Sequence, residues 1–90
     1  DVPQDVIFKM GSGAEAIEGL VHQNRFTNEF LNKPISEIPL PENCVVAAVT
    51  RNDQTFMGSD ELLLCPGDRL IIFILGKTDK QKIQNLFLED

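Results

Sequence analysis

The sequence predicts an α+β domain with a small, mostly antiparallel sheet, a short helical turn and a C-terminal helix. Two segments rich in β-branched and apolar residues, 44–50 and 69–75, have the composition of buried strands. Apolar residues recur at helical spacing near the end of the chain, in segment 79–87. The predicted order of strand, loop with a helical turn, three strands and helix is typical of the α+β class.

The length and charge of the chain limit the classes of partner. The 90 residues suffice for one compact domain with a modest core, so we expect a partner surface. A formal net charge of -6 without a basic stripe argues against nucleic acid and against an anionic membrane surface. The longest apolar run, 70–75, is far shorter than the roughly 20 residues that span a bilayer. Residues 1–5 lack the basic region of a signal peptide, and without an initiator Met we expect a piece of a longer protein.

The first third of the chain contains one element whose type the residues leave open. Residues 1–12 are interpreted as a linker or a preceding edge strand, in which the apolar segment 6–10 ends at two glycines. In segment 14–22, four apolar residues fit one face of a helix, whereas Gly19 would weaken a helix by about 1 kcal/mol relative to Ala. The polar segment 23–33 is predicted to be a loop.

Proline and asparagine mark the turns in the middle of the chain. Pro34 suits the first position of a single helical turn over 35–38, and two prolines that follow end this turn. After the strand at 44–50, segment 51–54 contains an Asn and an Asp, which tolerate turn geometry. Segment 55–57 resumes a strand, so we predict a hairpin.

A Pro-Gly corner precedes the last strand. Pro66 presets φ for the second position of a β-turn, and Gly67 supplies the positive φ that a type II turn requires next. The strand beyond the corner, 69–75, is nearly all apolar. We therefore expect it beside the 44–50 strand, deep in a sheet covered on both faces, or at a dimer contact. Thr78 is predicted to cap the final helix, and a Gln three residues later completes a capping box.

The residues offer no catalytic or metal motif, so we expect no catalytic residue, no metal and a protein that is not an enzyme. The glycines around Ser12 lack the rest of a dinucleotide fingerprint or a P-loop, which favours a turn between strands. Glu15 and Glu18 would share a helical face but would lie on opposite faces of a strand. Cys44 and Cys65 lack metal-ligand spacing and are interpreted as buried thiols in a reducing cytosol.

Three residues are candidates for ligand binding: Arg51, Arg69 and His22. The two arginines flank the predicted inner strands, and arginine suits bidentate recognition of carboxylate or phosphate. Alternatives for them are an intersubunit contact or an ion pair with a nearby carboxylate, that of Asp53, Asp60 or Asp68. His22 lacks the Ser and Asp of a catalytic triad, so its functional role would be proton sensing or a hydrogen bond to a ligand.

Residues 31–74, LNKPISEIPLPENCVVAAVTRNDQTFMGSDELLLCPGDRLIIFI, resemble the TrkA-C domain, which is also called RCK-C. The family pattern is a Gly-Lys pair, a short helix, Leu-Pro, a hydrophobic strand ending in Arg, a hairpin, and Leu-x-Pro-Gly-Asp before the final strand. The last five of these parts correspond here to 35–38, 40–41, 45–51, 54–57 and 64–72. The final helix, 79–87, also resembles the close of the family.

The upstream stretch, 11–26, is similar to the segment before the second such domain of Trk potassium-uptake regulators. The resemblance therefore covers about residues 13–87 and implies that 14–22 is a strand. Two departures from the pattern could weaken a small-ligand site. Asn32 stands where Gly usually precedes the Lys, and a Met-Gly pair that ends in Gly58 replaces the proline often found after the hairpin strand.

The resemblance implies a regulatory domain at 13–90 that forms a homodimer and couples effector binding to a membrane potassium transporter subunit, TrkH-like. Such domains are cytoplasmic, peripheral to the inner face of the cell membrane. Binding of NAD or ATP would belong to an RCK-N domain that this chain does not contain, while a cyclic dinucleotide could bind between paired domains. Two alternatives stay open: a purely structural oligomerisation module, or the same domain appended to another ion or solute carrier.

Overall fold

The computed structural model describes residues 4–59 and 61–89, in which five strands form one antiparallel sheet. The strands are β1 (Gln4–Lys9), β2 (Glu15–Leu20), β3 (Cys44–Arg51), β4 (Gln54–Met57) and β5 (Arg69–Ile74). A 3₁₀ turn, Ile35–Glu37, lies between β2 and β3, and a short helix, α1 (Lys80–Gln84), follows β5. The antiparallel sheet is confirmed, and the predicted helical elements are present in shortened form.

Strand β5 lies at the centre of the sheet, whose order is β1-β2-β5-β3-β4. It pairs with β2 through Ile17 and Ile72, and with β3 through Val46 and the same Ile72. The segments 44–50 and 69–75 are therefore adjacent strands, as predicted. Strand β1 forms one edge of this sheet, while the start of the segment predicted as linker or edge strand, 1–3, lies outside the described residues.

One face of the sheet carries the core. Side chains alternate between the two faces of a strand, and on this covered face Ile17, Leu70 and Ile72 are fully buried. Residues of the β2–β3 connection and of the chain after β5 pack on them. The cluster also contains Val21, Phe30, Ile35, Ile38, Val46, Val49, Leu64, Ile74, Ile83, Leu86 and Phe87.

The opposite face of the sheet stays open, which corrects one prediction. Burial alternates along β5, where Phe73 is 44% exposed between the buried Ile72 and Ile74. Within residues 4–59 and 61–89, β5 is covered on one side only, because the β2–β3 connection and the segment after β5 both pack against the same face. The expected cover on both faces is therefore wrong for these residues, and a dimer contact stays a prediction.

Strand β2 confirms that the segment predicted at 14–22 is a strand, as the resemblance implied, although its apolar residues have helix-like spacing. It pairs with β1 on one side and with β5 on the other, and this pairing outweighs the local period. Gly19 has a packing role rather than a turn role. A Cβ at Gly19 would lie 2.6 Å from the ring of Phe87, so only glycine lets the last turn of the chain pack on the strand.

Two predicted turns have the backbone geometry that their residues suggested. In the β3–β4 hairpin, Asn52 and Asp53 have φ of 51° and 64°, as a two-residue type I′ loop requires. At the Pro-Gly corner, Gly67 has φ of 89°. The N–H of Asp68 donates to the carbonyl of Cys65 at 3.1 Å, which closes the turn in agreement with type II.

The two departures from the family pattern both have a backbone explanation. Asn32 has φ of 63°, the left-handed conformation that glycine adopts freely and asparagine tolerates. Gly58 lies so close to β3 that a Cβ would be 2.0 Å from the carbonyl oxygen of Val46. Its N–H donates to the carbonyl of Ala47 at 3.0 Å, so glycine at this position extends the pairing with β3 beyond β4.

The caps of the two helical elements differ from the predictions. Asp79, not Thr78, caps α1, and its carboxylate accepts from the N–H of Gln81 at 3.1 Å. The hydroxyl of Thr78 instead accepts a weak hydrogen bond from the thiol of Cys44 at 3.5 Å. Pro34 precedes the 3₁₀ turn in an extended conformation, with ψ of 146°, rather than occupying its first helical position.

The final helix is shorter than the predicted segment 79–87. After α1 ends, Leu86 and Phe87 donate to carbonyls three residues back, which is the tighter 3₁₀ pattern. Ile83, Leu86 and Phe87 are all buried, so the predicted apolar stripe is confirmed although the α-helix does not extend along it. Packing of these side chains, rather than helix length, attaches the segment to the sheet.

We predict that Gly58→Ala lowers the free energy of unfolding by about 2 kcal/mol or more, because the new methyl group overlaps a backbone carbonyl. Gly11→Ala is the matched control, since a Cβ there would meet no atom within 4 Å. Its effect should stay within about 1 kcal/mol. Urea unfolding followed by circular dichroism measures both variants, and equal midpoints would contradict the close approach at Gly58.

Candidate functional site

Arg51 and Asp68 form an ion pair where β3 ends and β5 begins. Nε of Arg51 donates to Oδ1 of Asp68 at 2.7 Å, and Nη2 donates to Oδ2 at 2.8 Å. The Asp68 side chain is only 1% exposed, whereas that of Arg51 is 30% exposed. The hydrogen bond to Asp68 is the main cause that raises the pKa of Arg51 above its ordinary value. The arrangement is the bidentate pairing that makes arginine–carboxylate contacts strong.

The same two side chains also hold the segment that leads to the Pro-Gly corner. Nη2 of Arg51 donates to the carbonyl of Leu63 at 2.7 Å, and Oδ2 of Asp68 accepts from the N–H of Cys65 at 2.9 Å. We call this set of four residues the Arg51–Asp68 clasp. Of the carboxylates proposed as partners from the sequence, Asp68 is the one that pairs, and Asp60 lies outside the described residues.

The other two candidates have longer, more exposed contacts. Nη1 of Arg69 lies 3.3 Å from Oε1 of Glu18, with side chains 47% and 29% exposed. Nε2 of His22 lies 3.7 Å from Oε1 of Glu89, and the His22 side chain is 28% exposed. Both pairs are therefore solvated, and contacts of this kind contribute little to stability.

The structure does not gather the three candidates into one site. Arg69 is the direct cross-strand partner of Thr50, so the next residue, Arg51, lies on the opposite face of the sheet. The Arg51 guanidinium is engaged by the clasp, and His22 follows β2 beside the final segment, where its N–H donates to the carbonyl of Leu86. Ligand binding by Arg51, Arg69 and His22 stays a prediction.

The open face of the sheet has an apolar half, of which sequence reasoning identified only the strand 69–75, as one alternative for a dimer contact. Cross-strand register places Phe8, Ala16, Phe73 and Val45 in one row across four strands. Phe8 is 58% exposed and Val45 is 47% exposed, and in the next row Met57 is 81% exposed. A contiguous exposed apolar patch of this kind marks an interaction surface more often than isolated apolar residues do. We call the side chains of Phe8, Val45, Ala48, Met57, Ile71 and Phe73 the open-face patch, in which the buried Ala16 lies between Phe8 and Phe73.

The remaining chemistry-bearing residues are structural or partly exposed. Glu15 and Glu18 lie on opposite faces of β2, as expected for a strand, and bind Lys80 and Arg69 respectively. Cys44 and Cys65 are free and only partly buried, which corrects the prediction of two buried thiols.

Within residues 4–59 and 61–89, no group of three or more His, Cys, Asp or Glu side chains is arranged to hold a metal ion. None of the helices in the part of the chain that the structure describes is long and apolar enough to cross a membrane.

A family model described as the TrkA-C domain matches residues 26–87. The chain belongs to the TrkA-C domain family. It is 28% identical over 74 residues to a Trk system potassium uptake protein TrkA of Halomonas elongata, and 28% identical over 74 residues to one of Haemophilus influenzae. These alignments cover 82% of this chain and 16% of each relative. A TrkA homolog 2 of Methanosarcina mazei is 30% identical over an alignment of 86 residues, and the alignment covers 87% of this chain and 19% of the relative.

This TrkA-C domain thus spans less than one fifth of the length of these relatives. Its sheet also extends beyond the matched region. Strands β1 and β2 both precede residue 26, yet β2 carries the fully buried Ile17 and pairs directly with the central strand β5. The folded unit therefore includes strands upstream of the residues that match the family model.

We predict that Asp68→Asn lowers the free energy of unfolding by about 3 kcal/mol, because it leaves the Arg51 charge without its buried partner. Because Arg51 is partly exposed to water, the loss of stability should lie at the lower end of the range for removing one partner of a buried ion pair. Asp53→Asn is the control, since Asp53 lies in the exposed hairpin turn, where Asn tolerates the same backbone; it should change stability by less than about 0.5 kcal/mol. Urea unfolding midpoints compare the two, and similar losses would show that the clasp does not hold the fold.

Proposed function

We propose that this TrkA-C domain is a cytoplasmic regulatory domain of a potassium uptake system, in which it pairs as a homodimer and couples effector binding to a membrane transport subunit. The observation that carries the proposal is the match to the family together with similarity to potassium uptake proteins TrkA. The domain would act from the inner face of the cell membrane, through contact with a TrkH-like subunit. No catalytic role is proposed.

The open-face patch supports pairing with a second copy. It lies on the open face of the sheet, and the apolar row of Phe8, Phe73 and Val45 gives way to the exposed Glu18–Arg69 ion pair towards the other end of the sheet. A two-fold axis would bring two identical patches together and could place Glu18 of each copy near Arg69 of the other. A small domain gains stability from such an interface, because its own core is limited.

Coupling requires that the dimer has two arrangements with different affinities for the effector. An effector shifts the transport subunit only by the difference between its binding free energies to the two arrangements. The centre of each domain is rigid, since the central strand is paired on both sides and its inner side chains are fully buried. The conformational change would therefore lie in how two such domains pack against each other. The effector would then act on transport by changing the contact between two open-face patches.

We predict that Phe73→Glu converts the dimer to monomer, because it places a charge at the centre of the open-face patch. Loss of such a central aromatic anchor should weaken association by about 30-fold or more. Sedimentation equilibrium measures the effect. Phe26→Glu is the control: Phe26 is 36% exposed but lies in the β2–β3 connection, so this change should leave association intact.

A monomeric unmodified chain at high concentration would refute the dimer. The function itself is tested in cells by rubidium uptake through the transport system of the protein that carries this domain. Phe73→Glu should change the uptake rate, and Phe26→Glu should not. Unchanged uptake with a dissociated dimer would separate pairing from transport and contradict the coupling.

A purely structural oligomerisation module is the second candidate, since an exposed apolar sheet face would suit it equally well. Isothermal titration of the unmodified chain with cyclic di-AMP and common nucleotides separates the two candidates. The regulatory proposal expects saturable heat from at least one of these effectors, with one site for each dimer if the effector binds between subunits. Silence with all of them would favour the structural module.

A further inference from the structure

Three of the five lysines of this acidic chain line one cleft. The cleft lies between the β1–β2 turn and the segment that joins β5 to α1, and has a volume of about 720 Å³. Lys9, Lys77 and Lys80 are the lysines, and we call this site the lysine cleft. We propose that the lysine cleft binds a small phosphorylated ligand. The proposal does not depend on potassium uptake or on pairing through the open-face patch.

The cleft begins where the covered face of the sheet changes from apolar to charged. Lys9 is the direct cross-strand partner of Glu15, and Glu15 is the direct partner of Ile74, so the three side chains share a face. One row further into the sheet, Ile17 and Ile72 are completely buried. Ile74 belongs to the core whereas Lys9 is exposed, so this row marks the edge of the core and forms one wall of a concave site.

The charge balance of the cleft favours an anion with at least two charges. The Glu15 side chain is 5% exposed and pairs with Lys80, so these two charges offset each other. Lys9 and Lys77 are exposed and contribute the remaining positive charge. Lysine ammonium groups are common phosphate ligands, and phosphate esters supply the matching negative charge. A monovalent anion would match this charge only in part.

The rest of the lining supplies donors and an apolar surface. The Thr78 hydroxyl accepts from the thiol of Cys44, so its own proton can be donated to a ligand oxygen. Ser12 adds a second hydroxyl, on a turn where a Cβ at either flanking glycine would meet no atom within 4 Å. Met10, which is 53% exposed, provides apolar contact for an organic group. The volume lies within the roughly 300–1,000 Å³ that small-molecule sites occupy.

A free ligand fits this site better than a membrane surface does. The chain carries a formal net charge of -6, so the surface outside the cleft would be repelled by an anionic bilayer. The lysines also line a concavity, in which a phosphate group can contact several of them at once. Lipid headgroups present the same chemical group, and the experiment below separates these two sources.

The test is a titration of the ¹⁵N-labelled chain with inorganic pyrophosphate, followed by amide chemical shifts. Saturable shifts should centre on Gly11, Gly13, Lys77 and Thr78. Lys9→Gln combined with Lys77→Gln should weaken the apparent affinity about tenfold, equivalent to about 1.4 kcal/mol. This double variant leaves the Glu15–Lys80 pair intact and changes only exposed side chains, so the fold should be retained.

Lys33→Gln combined with Lys82→Gln is the matched control, because it removes the same charge from exposed lysines outside the cleft. Its affinity for pyrophosphate should change by less than about twofold, as expected for charges at a distance in salt solution. An equal loss in both double variants, shifts spread over all lysines, or no saturable shift would overturn the proposal. So would co-sedimentation with phosphatidylglycerol vesicles in the absence of pyrophosphate binding, which would assign the lysines to a membrane.

Discussion

The fold depends on one polar contact, the Arg51–Asp68 clasp, at the end of the sheet where several segments of the chain converge. The Asp68 carboxylate binds Arg51 and the N–H of Cys65, and its backbone carbonyl accepts from the N–H of Val21 at 2.8 Å. One residue thereby joins the end of β2, the end of β3, the Pro-Gly corner and the start of β5. Such a buried carboxylate is tolerated because its oxygens are hydrogen-bonded and a guanidinium supplies the opposite charge. With these ends fixed, β5 begins its pairing with both neighbours at Arg69, which lies opposite Leu20 of β2 and Thr50 of β3.

Turn chemistry explains why much of the sheet could be predicted from the sequence. Asn52, Asp53 and Gly67 adopt the positive φ values that their residue types tolerate, so the hairpin and the corner could be located by local rules. Local rules failed where a distant contact decides. Thr78 was the expected helix cap, but its hydroxyl contacts Cys44, 34 residues away, and the neighbouring Asp79 takes the cap instead. Likewise, the apolar residues of β2 have helix-like spacing, but pairing with β1 and β5 makes this segment a strand. The spacing alone carries no information about those pairings.

The candidate site was less predictable than the fold, because it is assembled by register. From the sequence, Arg51 suited either an anion site or an ion pair within the chain. Only the structure, which places Asp68 beside it, shows that the ion pair forms. The open-face patch depends on which face the connections cover, and single strands do not carry that information. Lys9 and Lys77 are far apart in the sequence and come to one cleft only because β1, β2 and β5 lie side by side.

The two proposed binding surfaces lie on opposite faces of the same sheet, and one strand reaches both. Phe8 belongs to the open-face patch, and the next residue, Lys9, lines the lysine cleft. Strand β1 is an edge strand that pairs on one side only, and its register with β2 shifts between Val6 and Phe8. It is therefore held less firmly than β5, which pairs on both sides. A phosphorylated ligand that draws Lys9 towards the cleft would change the position of Phe8 on the other face. Strand β1 would then couple ligand binding in the lysine cleft to pairing of two domains. By reciprocity, the ligand would change the affinity of the domains for each other by the same factor as pairing changes the affinity for the ligand.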